Sequence, residues 1–360
     1  MKNTFYILTS LIIISSIVGC KESPKKESGN KDNSPIEKVD DSDILSELDK
    51  INEEIVEDPM NPNGYYKRSI YYKNKYDFYN AIEDIDRALK ITPDVAELNY
   101  QKGDILFNKA GAEQNPDLYE QSLTYLNQTI KMDSTHTDAL ILLSRLNSAN
   151  KSFDKALDNL STVLRYDEYN AKAYFWKGVV FEKIGEIENA ASSYQTAIEQ
   201  DANYAAAHNH LGLLYANSYD PIALDYYNAA LAIEPGSFEV LRNKALLLKD
   251  LEKYQESISV FKQLTADDSL YSEGYYNIGN TYISMYRDNM DEVAKDSITK
   301  NAIFYFEKAI QVQPEYIKAT FNLGVVNAFI GNKEIAKTNF EKVLELDENN
   351  EDALKAINEL

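Results

Sequence analysis

Small side chains recur along this chain at a nearly constant interval, and this recurrence restricts the possible fold more than any other feature. The gaps between them are 41, 34, 34, 33, 34, 45 and 34 residues, and a large apolar residue follows each one four positions later. A four-residue step places both side chains on one face of an α-helix. The pattern therefore predicts stacked helical units. The small residues are Ala81, Ser122, Ala156, Ala190, Ala223, Ser257, Ala302 and Ala336.

Each unit contains a second small position nearer its start. Two helices approach closely only where one of them offers a small residue to the bulky side chain of the other. Prolines at 93, 235 and 314 mark where second helices end. Each unit is therefore predicted to be a pair of packed helices. The second set of small residues is Ser69, Gly103, Ser144, Gly178, Gly212, Ala245, Gly279 and Gly324.

This arrangement resembles the tetratricopeptide repeat, and residues 173–201 match its pattern well. The resemblance covers about residues 58–350. It implies an all-α, right-handed α-solenoid of about eight helix-turn-helix units, with residues 351–360 as a C-terminal capping helix. Extra residues near 111–117 and 286–299 are interpreted as extended helix ends, and functional connections are the alternative.

The first twenty residues have the features of an export signal. Lys2 precedes a 14-residue apolar stretch, Phe5 to Val18, which is shorter than the ~20 residues of a membrane span. Its end, Ile17-Val18-Gly19-Cys20, resembles the lipobox of bacterial lipoproteins. The resemblance implies removal of residues 1–19 and acylation of Cys20, for example with palmitate. An uncleaved signal anchor and a coincidental cysteine are the alternatives.

Residues 20–42 are predicted to be the lipidated cysteine and a flexible tether, because the segment is polar and has little to bury. Residues 43–57 are predicted to form an amphipathic N-terminal helix that covers the first repeat. Lys21 follows the cysteine where inner-membrane lipoproteins typically carry aspartate. The resemblance therefore implies an outer-membrane lipoprotein, on the periplasmic face or the cell surface.

The formal net charge of −21 argues against nucleic-acid binding, because an acidic surface repels phosphate backbones. Solubility is the main interpretation of this charge, and a basic partner is the alternative.

In the tetratricopeptide family, the second, fifth and ninth positions of each first helix face the ligand. The resemblance implies a partner-binding groove lined by the fifth positions. Aromatic residues occupy five of these eight positions and would suit a peptide or a partner helix. Partly buried packing is the alternative. The fifth-position residues are Tyr66, Tyr100, Ile141, Phe175, Asn209, Arg242, Tyr276 and Phe321.

A carboxylate clamp of the kind found in chaperone-binding repeats is only partly represented. Asn277 and Lys318 occupy two clamp positions, but Leu246 and Asn322 replace the asparagine and arginine that the clamp needs. A dedicated site for a peptide C-terminus is therefore not expected.

Catalytic residues, cofactors and metals are not expected. His208 and His210 lie two residues apart, roughly 200° around a helix, so they do not share a ligand face. His136 is distant in sequence, and phosphate-loop, nucleophile-elbow and zinc-ligand motifs are absent from the sequence.

The sequence therefore predicts a non-catalytic, lipid-anchored scaffold that binds envelope proteins or peptides. A surface glycan- or nutrient-binding lipoprotein using the groove aromatics is the alternative. A hydrolase is the least supported interpretation.

Overall fold

A computed structural model describes residues 46–360, which contain eighteen α-helices and no strand. The predicted signal peptide, Cys20, the tether and residues 43–45 lie outside the described residues. The described residues divide into two compact units, residues 46–168 (unit 1) and 169–360 (unit 2). Within the described part, the prediction of an all-α fold made of helix-turn-helix repeats is confirmed.

Unit 1 contains a leading helix followed by three helix pairs. In each pair we call the first helix A and the second helix B. The leading helix is α1 (Glu47–Glu57). The pairs are α2 (Pro62–Asn74) with α3 (Phe78–Ile91), α4 (Ala96–Glu113) with α5 (Pro116–Met132), and α6 (Thr137–Ala149) with α7 (Phe153–Tyr166).

Unit 2 contains five pairs and a final helix. The pairs are α8 (Ala171–Ile184) with α9 (Ile187–Gln200), α10 (Ala205–Ala216) with α11 (Ala223–Ile233), α12 (Phe238–Asp250) with α13 (Tyr254–Asp267), α14 (Ser272–Met285) with α15 (Glu292–Val312), and α16 (Ile317–Phe329) with α17 (Lys333–Leu346). The final helix is α18 (Glu351–Glu359).

The recurring small residues form the contact between the two helices of each pair. All eight helix-B small residues are 0% exposed, and the large side chains four residues later are at most 1% exposed. A β-carbon added to Gly178 would lie 2.6 Å from the Tyr194 ring, so only glycine allows this approach. Where helix B carries serine, its hydroxyl donates to the facing helix A, as Ser122 does to the Gly103 carbonyl at 2.7 Å. The small positions are therefore buried, as the sequence predicts.

The turn from helix A to helix B repeats one backbone conformation. One residue lies in the left-handed region, and it is glycine in two turns, Gly185 (φ 90°) and Gly331 (φ 85°). Side chains occupy the same region at Tyr76, Lys151, Tyr219 and Glu252, with φ between 56° and 61°. Because a β-carbon makes this conformation unfavourable by about 1–2 kcal/mol, these four turns are strained.

Both inserted segments lie between helix A and helix B. Near residues 111–117, α4 continues to Glu113 and α5 begins at Pro116, so the additional residues lengthen both helices. Near residues 286–299, a short connection follows Met285, and α15 then runs for 21 residues. The extension of helix ends is what the structure shows in both places.

The first and last helices cover the ends of their units. Ile51 of α1 is buried, and Ile55 packs on Gly64, where a β-carbon would lie 2.6 Å from the isoleucine side chain. At the other end, Ala353 of α18 is 0% exposed and packs in one cluster with Phe340 and Val343. Each end helix thus buries one face against a terminal pair.

Candidate functional site

Six of the eight fifth-position residues of the A helices contact the next repeat. Three of them form hydrogen bonds to a glutamate at the second position of the following helix A. Tyr66 donates to Glu97 at 2.6 Å in unit 1. In unit 2, Asn209 donates to Glu239 at 3.0 Å and Arg242 to Glu273 at 2.8 Å. These bonds fix one A helix to the next.

Three further fifth-position residues pack on a ring that immediately precedes the next helix A. The ring centroids of Tyr100 and His136 are 4.8 Å apart in unit 1. In unit 2, those of Phe175 and Tyr204 are 5.1 Å apart, and those of Tyr276 and Tyr316 are 5.2 Å apart. Burial raises the pKa of Tyr100 and Tyr316 above the usual tyrosine range. We call these six contacts the inter-repeat ladder.

The ladder changes how the predicted groove is interpreted. Ile141, Phe175 and Asn209 are at most 6% exposed, so little of their surface is open to a partner. Phe321 is half-buried, with its ring centroid 5.4 Å from that of Phe340. Most fifth-position residues thus have a structural role between or within repeats. Their contact with a partner stays a prediction, and Phe175 offers little ring surface for stacking on a sugar.

One ladder contact belongs to a larger polar cluster in unit 2. The Tyr194 hydroxyl donates to Glu182 Oε2 at 2.7 Å, and His210 Nδ1 lies 3.3 Å from the same oxygen. The Phe175 ring packs against both Tyr194 and His210, with centroids 5.7 and 5.2 Å away. Burial raises the pKa of the Glu182 carboxyl, but the hydrogen bonds from His210 and Tyr194 and the His210 charge outweigh it and lower this pKa below its ordinary value.

We expect Glu182→Gln to lower the free energy of unfolding by about 0.5–1 kcal/mol at neutral pH, because it removes a charged hydrogen-bond acceptor whose partial exposure to water weakens the interaction. Folding lowers the Glu182 pKa, so the stabilisation is present above the ordinary glutamate titration range and is lost as pH falls through the folded-state pKa. Urea titrations of both proteins at neutral and strongly acidic pH should show the difference only at neutral pH. The exposed Glu199→Gln is the control, and an equal Glu182→Gln effect at both pH values would contradict the expectation.

Apart from Ile184 and Phe238, which stand at the ends of α8 and α12, the exposed large apolar residues of the A helices lie in the last two pairs of unit 2. Ile283, Val325 and Phe329 are 36%, 43% and 62% exposed. The Tyr286 ring contacts Phe329 edge-on, with centroids 5.1 Å apart. We call Ile283, Tyr286, Val325 and Phe329 the α14–α16 patch.

A hydrogen bond between two asparagines joins the two helices of this patch. Asn322 Nδ2 donates to Asn280 Oδ1 at 2.8 Å. Ile283 and Val325 each follow one of these asparagines by three residues, which puts them one turn further along neighbouring helices. The fifth-position prediction missed this patch. A signal exists in the sequence, because Lys318 is the only charged residue between 317 and 332.

The two residues at carboxylate-clamp positions differ in their exposure to solvent. Asn277 is buried, whereas Lys318 is exposed and has no hydrogen-bond or ion-pair partner among residues 46–360. Within the same described residues, no group of three or more histidine, cysteine, aspartate or glutamate residues is placed to hold a metal ion. No helix in the described part of the chain is long and apolar enough to cross a membrane.

Paired helices that pack through buried small residues define a class of helical repeat protein. Comparison with known families identifies the repeats. Residues 183–218 match the TPR repeat model, and residues 317–350 match the tetratricopeptide repeat model. The chain therefore contains tetratricopeptide repeats.

The chain also matches curated proteins over long stretches. The chain is 25% identical over 320 residues to a TPR repeat-containing protein of Methanocaldococcus jannaschii, covering 81% of this chain and 51% of that protein. It is 29% identical over 164 residues to the probable UDP-N-acetylglucosamine–peptide N-acetylglucosaminyltransferase SPINDLY of Hordeum vulgare, covering 41% of this chain and 16% of that enzyme. The chain spans about half or less of the length of the curated relatives that it matches.

A solved structure shows the same fold. The C-terminal part of a TPR repeat-containing protein from Cytophaga hutchinsonii superposes with a TM-score of 0.55 at 18% identity, covering 72% of this chain and 99% of that one.

Proposed function

We propose that this chain is a lipid-anchored, non-catalytic scaffold of the cell envelope, and that the α14–α16 patch binds an apolar segment of a partner protein. The observation that carries the proposal is the exposure of Val325 and Phe329 on α16. Val325 is exposed at the ninth position, whereas the other fifth- and ninth-position side chains of unit 2 are buried or half-buried, and Phe329 follows it by one helical turn. Exposed aromatic and aliphatic groups on one face are typical of interaction surfaces.

The charges beside the patch favour a partner segment that also carries a carboxylate. Along unit 2, the second-position carboxylates Glu239 and Glu273 already accept hydrogen bonds from the preceding repeat. At the last repeat the second position is Lys318, whose ammonium is exposed and unpaired within residues 46–360. An acidic group on the partner would pair with Lys318 while apolar side chains cover Val325 and Phe329.

The sequence supports the anchoring part of the proposal. Cys20 is the single cysteine of the chain, and it stands at the end of the lipobox-like segment. Each buried methylene of an acyl chain contributes about 0.8 kcal/mol, so two or more chains on one residue give stable attachment.

Site-specific photocrosslinking in cells tests the partner-binding surface. The full chain would carry a photoreactive phenylalanine analogue at Phe329, and in a matched variant at Phe304, which is 50% exposed on a B helix of unit 2. We expect an adduct with a membrane-associated envelope protein from position 329 but not from 304. Lys318→Glu should weaken that adduct.

The crosslinked partner peptide, mapped by mass spectrometry, should contain apolar residues next to an aspartate, a glutamate or a C-terminus. The same adducts from positions 304 and 329, or an adduct that Lys318→Glu leaves unchanged, would rule out this surface.

A further inference from the structure

A cleft of about 430 Å³ lies in unit 1, where the first A–B turn faces helix α4. Its volume falls within the range of small-molecule sites, which is about 300–1,000 Å³. It takes its walls from the end of α2, the turn, the start of α3 and the middle of α4. The lining residues are Lys73, Asn74, Tyr76, Phe78, Asp104 and Asn108.

The two charged groups of the cleft neutralise each other. Lys73 Nζ lies 2.6 Å from Asp104 Oδ2, and both side chains are mostly buried. Asn108 Nδ2 donates to Asp104 Oδ1 at 3.1 Å. Because the ion pair is complete, an anionic ligand would be repelled by Asp104 and a cationic one by Lys73. The cleft therefore favours a ligand without net charge.

The cleft has both donors and acceptors that are left for hydrogen bonds to a ligand. An ammonium has three donors and a carboxylate about four acceptor sites, and the contacts above use only part of each. Asn74 adds an amide with no hydrogen-bond partner among the described residues. Donors and acceptors are thus mixed within one small space. A hydroxyl group suits this mixture, because one oxygen both donates and accepts.

Tyr76 adds an exposed aromatic wall. Its side chain is 58% exposed, and its ring contacts Phe78 edge-on with centroids 6.1 Å apart. Tyr76 has φ of 61° at the turn position where two other repeats have glycine. The tyrosine therefore occupies a strained position that glycine would fill without strain. A flat ring of this kind packs well against the C–H face of a pyranose.

We propose that this cleft binds a neutral saccharide of one or two rings. Tyr76 packs against the sugar ring, and Asp104, Lys73 and Asn74 bind its hydroxyl groups. This site is independent of the proposed protein-binding patch, which lies in unit 2.

Titration with neutral sugars tests the proposal. The chain without residues 1–19 would be titrated with glucose, galactose, mannose, N-acetylglucosamine, maltose and cellobiose, followed by saturation-transfer NMR and calorimetry. We expect millimolar or tighter binding of at least one sugar. Tyr76→Gly should weaken it by at least about tenfold, which corresponds to about 1.4 kcal/mol, and Asn74→Ala should weaken it severalfold.

Tyr219→Gly is the matched control, because Tyr219 has the same strained backbone, φ 56°, but lines a turn of unit 2. Both glycine variants should raise the thermal midpoint, and only Tyr76→Gly should lose the sugar. Thermal melts thereby separate loss of binding from loss of folding. The proposal is overturned if the whole panel fails to bind, if Tyr76→Gly and Tyr219→Gly bind the sugar equally, or if an uncharged peptide binds the cleft in place of the sugars.

Discussion

Replacing Phe306 with alanine should lower the free energy of unfolding of unit 2 by about 3–5 kcal/mol. The ring is 0% exposed, and its edge lies against Gly279, where an added β-carbon would be 2.7 Å from it. Loss of the ring removes buried apolar surface and leaves a cavity, because Gly279 has no side chain to fill the space. Urea titration followed by far-ultraviolet circular dichroism measures the change.

Phe304 provides the control on the same helix. Its side chain is 50% exposed, so Phe304→Ala should cost less than about 1 kcal/mol. Gly279→Ala should destabilise by about 1–3 kcal/mol through overcrowding. In combination with Phe306→Ala its cost should largely disappear, because the ring that it would strike is gone. Fully additive effects would show that these two residues do not form the contact.

Replacing Arg68 with methionine should cost about 3 kcal/mol at neutral pH. The guanidinium makes two hydrogen bonds to the Asp84 carboxylate, at 2.7 and 2.8 Å, and a third to Asn52 of α1. Asp84 is only 4% exposed, so the substitution leaves its buried charge without a partner. The hydrogen bond to Asp84 also raises the pKa of Arg68. The effect would appear in the unfolding midpoint of unit 1.

The neighbouring Lys67 allows this buried ion pair to be compared with an exposed one. Lys67 contacts Glu54 at 2.8 Å, but both side chains are nearly half exposed, so Lys67→Met should cost less than about 1 kcal/mol. The double variant Arg68→Met with Asp84→Leu should recover most of the lost stability, since it removes the unpaired charge. Equal costs for Lys67→Met and Arg68→Met would contradict a special role for the Arg68–Asp84 pair.

The fold could be predicted from the sequence because its main contacts are local and periodic. Gly178 and Tyr194, for example, lie sixteen residues apart within one helix pair, and the same spacing recurs along the chain. The inter-repeat ladder was harder to predict. Whether Tyr66 faces a partner or donates to Glu97 depends on how successive pairs stack, and a periodic pattern does not specify that geometry.

A signal for the ladder is nevertheless present in the sequence. Glutamates follow three of the fifth-position residues after 30 or 31 positions, at Glu97, Glu239 and Glu273. The α14–α16 patch and the cleft at Tyr76 have weaker signals, because each depends on one side chain at a position whose residue varies between repeats. Lys318 stands at the second position, where three other repeats have a ladder glutamate, and Tyr76 stands at a turn position where two other repeats have glycine. Such differences can be interpreted only when the regular contacts are known.

The two lengthened hairpins have a consequence for protein engineering. Both α4–α5 and α14–α15 gain their extra residues at the end where the chain reverses. The contacts at the buried small residues of these pairs, Gly103 with Ser122 and Gly279 with Phe306, keep their packing. Foreign loops or small domains grafted at the short reversals, such as the one around Lys151, should therefore be accepted without disturbing the stack beneath them.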